Sequence, residues 1–85
     1  MRHEVRKKIE EVLKRFGVAN RYVEIVLCDP FGDIRYIYVE GLSEEDQLKL
    51  TDEIRSLAVE FGEGAVEEAL EEVLKELGCK VDWVL

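Results

Sequence analysis

Tyr22-Val23-Glu24-Ile25-Val26-Leu27-Cys28, then Asp29-Pro30-Phe31-Gly32-Asp33, then Ile34-Arg35-Tyr36-Ile37-Tyr38-Val39-Glu40 is the stretch that decides the fold. Two runs rich in β-branched and aromatic residues flank a short cluster of turn formers, the pattern of a β-hairpin. Proline pre-sets φ at the second turn position and Gly32 tolerates a positive φ, so a three-residue loop closed by a bulge is expected, with Asp29 facing Asp33. That register puts Val23/Val39, Ile25/Ile37 and Leu27/Arg35 on one face. Tyr22/Glu40, Glu24/Tyr38, Val26/Tyr36 and Cys28/Ile34 fall on the other. The first set reads as the core. The second is an unusual outer face, because Val26, Ile34, Tyr36 and Tyr38 form an apolar band wetted only by Glu24 and Glu40.

Upstream, Val5, Ile9, Val12, Leu13 and Phe16 recur at intervals of three and four, one stripe of a helix that Gly17 is placed to stop. Its outward charges alternate as Glu4/Lys8, Glu10/Lys14 and Glu11/Arg15, the i,i+4 spacing of a solvated face. Downstream, Ser43 before Glu44-Glu45-Asp46 reads as an N-cap with acids in the first turn. The helix it opens carries Leu50, Ile54, Leu57, Ala58 and Phe61 inward. Gly62-Glu63-Gly64 then interrupts the pattern, and Val66, Ala69, Leu70, Val73, Leu74 and Leu77 mark a third helix ending at Gly78. The last run, Cys79 to Leu85, alternates with period two and places Cys79, Val81, Trp83 and Leu85 on one face of a strand. The reading is therefore one α+β domain over residues 1–85, a small two-layer sandwich of a three-stranded sheet and helices in the order α-β-β-α-α-β.

This order resembles that of type II KH domains and BolA-like proteins. In the KH members a G-x-x-G turn between the paired helices grips nucleic acid. The corresponding turn here, Gly62-Glu63-Gly64, is one residue short and acidic, so the resemblance covers element order alone and carries over no binding residue.

The 85 residues are 47% hydrophobic and 38% charged, enough apolar content for a folded chain with one core. No run approaches the roughly 20 apolar residues of a membrane helix, and no apolar signal region opens the chain, so a soluble protein, cytoplasmic if natural, is expected. The net charge of −8 opposes binding to nucleic acid or anionic lipid. Residues 1–21 nevertheless hold seven basic side chains against three acidic ones. The simplest account is that the first helix lies beside acidic helices.

Chemistry is sparse. His3 is the one histidine and sits in a fraying first turn, which leaves no base for a nucleophile. Ser43 is a cap, Thr51 and Ser56 fall within a helix, and none lies in a G-x-S-x-G elbow. Glu67, Glu68, Glu71, Glu72 and Glu76 crowd one helix without a calcium loop or an E-x-x-H pair. The glycines at 62 and 64 lack the strand and lysine of a phosphate loop. Cys28 and Cys79 form no C-x-x-C, and a disulfide between them requires their strands to be neighbours with the cysteines opposed. No enzyme, cofactor or metal site is expected.

What remains is Val26, Ile34, Tyr36 and Tyr38. If the first helix covers that face they are core; if not, they form an aromatic patch suited to a homodimer or another protein partner. Pattern, caps, glycine stops and turn chemistry all agree, which is the consistency sought in design. Two functional expectations follow: a designed or heavily idealised, thermostable scaffold without natural activity, or a small interaction or subunit domain, of a kind suited to a thermophile, using the Tyr36/Tyr38 face.

Overall fold

A computed structural model describes residues 2–28 and 32–85. The elements are α1 (Arg2–Arg15), β1 (Tyr22–Cys28), β2 (Asp33–Val39), α2 (Glu44–Phe61), α3 (Glu63–Glu76) and β3 (Lys80–Val84), in the expected order. The strands form one sheet in the order β2-β1-β3, with β1 antiparallel to β2 and parallel to β3. Helices pack on one face of it, giving the expected two-layer α+β arrangement. β1 is central, and its Val23 and Ile25 are fully buried with Ile37 and Val39 of β2. Opposite them lie Leu50 and Ile54 of α2 and Val66, Leu70, Val73 and Leu74 of α3, while Val5, Ile9 and Leu13 of α1 complete the core.

The helix ends follow from local chemistry. Gly17 and Gly78 take positive φ after α1 and α3. At each, the glycine N–H bonds the carbonyl three residues back (Lys14 and Lys75), and the next N–H bonds the one five back (Val18 to Leu13, Cys79 to Leu74). This Schellman arrangement satisfies carbonyls that a helix end leaves open. Ser43 Oγ accepts from Asp46 N–H at 3.1 Å, as its cap role requires. The break between α2 and α3 is shorter than expected. Gly62 alone leaves the helical conformation, whereas Glu63 and Gly64 already belong to α3.

The hairpin departs from the regular register in one place. Val26 faces Tyr36, but Leu27 faces Ile34 and Cys28 faces Asp33, so Arg35 is an extra residue on β2. The expected pairs Leu27/Arg35 and Cys28/Ile34 are thus replaced. A regular ladder would drive the Arg35 side chain into the core and hold Ile34 outside it. The bulge exchanges them, sparing the cost of burying an unpaired charge. Gly32 N–H donates to the Cys28 carbonyl at 2.7 Å. The turn expected at Asp29-Pro30-Phe31 lies outside the described residues.

The charge segregation along the chain resolves as internal pairing. Arg6 of α1 bonds Glu72 at 2.6 Å and Glu76 at 2.8 Å on α3, Arg2 bonds Glu68 and Glu72, and Arg15 reaches Glu53 of α2. Arg15 thereby leaves the helical pair with Glu11, whereas Glu10/Lys14 forms at 3.5 Å.

The least anticipated contacts lie along the outer edge of β2. Thr51 Oγ1 accepts from Ile37 N–H at 3.0 Å and Gln47 Oε1 from Val39 N–H at 2.8 Å, and both side chains are buried. Two donors that an edge strand would leave open are therefore met from a helix. Replacing Thr51 by valine, similar in shape but no acceptor, leaves the Ile37 N–H buried and unmet. Urea unfolding of Thr51→Val is expected to show a loss of about 1–3 kcal/mol; an unchanged midpoint would refute the assignment.

Candidate functional site

The side of the sheet away from the helices carries Tyr22, Glu24, Val26 and Cys28 from β1, Tyr36 and Tyr38 from β2, and Lys80, Asp82 and Val84 from β3. Their alternation with the buried positions fixes this placement. Among the described residues no helix covers this face: α1 packs on α3 and α2 instead. Tyr38 and Val84 are each 37% exposed, Tyr36 and Val26 are half-buried against their neighbours, and Cys28 is exposed.

Of the four residues expected here, the structure brings together Val26, Tyr36 and Tyr38. Ile34 is a correction. The bulge turns it to the helix side, where it is 1% exposed and part of the core. Val84 joins the patch in its place, because β3 pairs with β1 so that Val84 stands beside Val26. The alternation of β3 was readable in the sequence, but its register against β1 was not.

One end of the face is polar. Glu24 and Asp82 are neighbours across the parallel ladder, and the Tyr22 hydroxyl lies 2.8 Å from Asp82 and 2.9 Å from Glu24. Asp82 and then Glu24 hold the phenol proton well above the usual tyrosine range. The face thus grades from a tyrosine flanked by acids to a Tyr36/Tyr38/Val26/Val84 cluster.

The remaining candidates for chemistry are used structurally. Ser43 caps α2, Thr51 holds the β2 edge, and His3 and Ser56 are exposed on helices without a nucleophile–base geometry. Among the described residues no cluster of His, Cys, Asp or Glu is arranged to hold a metal ion. Cys28 and Cys79 are free thiols: their strands are neighbours, but they lie at opposite ends of the ladder. Cys79 Sγ instead contacts the Val18 carbonyl at 3.2 Å. A shallow apolar hollow between α1 and α3, walled by Val5 and Ala69, is bridged at its rim by the Arg2 and Arg6 ion pairs. No helix among the described residues is long and apolar enough to cross a membrane.

Glu63, the first residue of α3, accepts from Ile34 N–H at 3.2 Å and so braces the bulge. Burial, then the nearby charges of Glu63 and Asp33, hold the Glu67 carboxyl above its ordinary value of 4.5.

Compared with models of protein families, with curated proteins and with solved structures, the chain matches none. The likeness in element order to KH and BolA-like proteins therefore gains no family support, and the site must be read from its own geometry.

Ile34→Ala is expected to cost about 2–5 kcal/mol in urea unfolding, as a buried isoleucine does, whereas Tyr38→Ser should cost less than about 1 kcal/mol. Equal losses would mean that the bulge is misplaced. For Glu67, the folded protein retains a proton that the unfolded chain has released. Its stability contribution therefore falls as pH rises from the ordinary glutamate range through the raised value. Glu67→Gln should raise the melting temperature at pH 7 and flatten that fall; a lowered melting temperature would reverse the sign assigned here.

Proposed function

We propose that this chain is a non-catalytic interaction domain whose working surface is the open sheet face, and that its partner is a protein surface apolar at the centre and basic at one rim. The observation that carries this reading is the cluster of exposed Tyr38 and Val84 with half-buried Tyr36 and Val26 on a face that no helix among the described residues covers. Aromatic residues are favoured at interface centres because each presents a large, stiff area with a polar tip. The acids Glu24 and Asp82 at one end, on a chain of net charge −8, favour a cationic counterpart.

The same features weigh against nucleic acid. The arginines of the basic N-terminal segment are engaged within the fold: Arg2, Arg6 and Arg15 bond carboxylates, and Arg21 bonds the carbonyls of Gly17 and Glu40. Little of that charge is left to meet phosphate. Face-to-face pairing of two copies is also disfavoured by size. Three strands of this length present about 300 Å² a side by strand spacing and rise, well short of the roughly 800 Å² per partner of a standard interface. A partner that also grips the rim overcomes this shortfall, and a flat second copy does not.

A second reading, an idealised scaffold with no partner, is favoured by the agreement of caps, Schellman ends and intramolecular ion pairs. Thermal robustness belongs to the same reading, since networks of surface ion pairs are a thermophile device.

The two readings part on binding. A random peptide display library panned on the wild-type chain, with Tyr36→Ser/Tyr38→Ser as the counter-selecting surface, is expected to enrich sequences that combine apolar and basic residues. Their affinity should fall at least about tenfold on the double variant, as loss of paired aromatic anchors does. Selection of nothing beyond background, or equal binding to the variant, would sink the interaction reading and leave the scaffold.

A further inference from the structure

The sheet has two edges, and the fold treats them differently. The β2 edge is met by Thr51, Gln47 and Glu63. On the β3 edge, Lys80 N–H donates inward to the Arg21 carbonyl at 3.2 Å. Peptide groups alternate in direction along a strand, so Lys80, Asp82 and Val84 bond towards β1 while Val81 and Trp83 point theirs outward. Among the described residues no side chain answers those outward groups. The indole of Trp83, on the same edge, has its Nε1 buried without a partner.

Charged residues on an edge ordinarily discourage further strand pairing. Here they are Lys80 and Asp82, exposed and placed symmetrically about Val81 on the open face. Their order makes the edge complementary to itself.

We propose that β3 pairs antiparallel with β3 of a second copy, about a two-fold axis through Val81, to form one continuous sheet of both chains. In this register the two Val81 residues exchange their outward N–H···O=C bonds, and Trp83 stands opposite Cys79 on the helix side. Lys80 stands opposite Asp82 of the second copy, twice, in the closely spaced non-hydrogen-bonded positions where side-chain pairing is strongest. Sliding the axis to Asp82 places that carboxylate against its own copy, which opposes the alternative register. The two-fold axis is perpendicular to the sheet, so helices stay on one side and the two open faces become coplanar. This pairing shares Asp82 with the partner surface proposed above but uses neither Tyr36 nor Tyr38, so substitution of those two tyrosines tells the two proposals apart.

The test is sedimentation equilibrium from micromolar to millimolar protein, at about 0.15 M salt, where charges farther apart than about 8 Å are screened. Wild type should dimerise reversibly. Lys80→Asp and Asp82→Lys should each weaken the dimer by about tenfold or more, and the exchange Lys80→Asp/Asp82→Lys should restore it to within about threefold, the signature of a direct pair in a double-mutant cycle. Circular dichroism of each variant checks that the monomer stays folded. Exchange of the Val81 and Trp83 amides should slow as concentration rises. A wild type that stays monomeric at millimolar concentration overturns the proposal and makes Lys80 and Asp82 guards against pairing. A dimer that the charge exchange fails to restore overturns it too. So does one abolished by Tyr36→Ser/Tyr38→Ser, which would move the interface to the open face.

Discussion

The outer edge of β2 is the constraint from which much of the architecture follows. A row of unmet N–H groups beside a helix must be hydrated, paired or capped, and α2 caps it. The geometry is a match of repeats. Four residues of helix rise about 6.0 Å and two residues of strand about 6.8 Å, so Gln47 and Thr51 reach Val39 and Ile37 in step as α2 runs back along β2. This ties α2 to the β2 margin of the sheet, sets α3 beside it against β3, and sends α1 onto the two helices. With the helices gathered on one side, the other face of the sheet is bare.

The bulge at Arg35 and the join at Gly62 depend on each other through a single residue. Gly62 has φ 96° and ψ 144°, a backbone region that side chains resist, and it lets α3 begin at once. Glu63 therefore arrives beside Ile34, where its carboxylate holds the N–H that the interrupted ladder leaves open. The same crowding of acids, Asp33 with Glu63 and Glu67, is the cost of that brace.

Most of the fold was legible from periodicity. The stripes of α1 and α3, the glycine ends, the Ser43 cap and the alternation of β1 and β2 each reflect a local rule that tertiary structure did not override. The bulge was legible only in part: an arginine at a core position beside an isoleucine at an outer one signalled a slip, which regular alternation concealed. The roles of Gln47 and Thr51 leave no trace in the sequence, because polar residues on a helix normally face water and their targets are backbone groups without a side-chain signature. The open face could not be decided from residue types, since half-buried tyrosines suit a core and a surface equally. It was settled by where α1 packs, a matter of long-range geometry.

The strand at the centre of the sheet is the first made, and one of its neighbours is the last. Tyr22 pairs with Lys80, and Val26 with Val84, so the sheet closes only when residues 80–84 return to β1, more than fifty positions earlier. Non-local parallel pairing of this kind slows folding, because loop closure precedes any reward from contacts. During synthesis, the β1–β2 hairpin and all three helices are made before β1 has its second partner. Until then the open side of β1 is itself a transient edge. The sheet is thus complete only once Lys80–Val84 has been made, and loss of that segment would remove one of the two partners of the central strand.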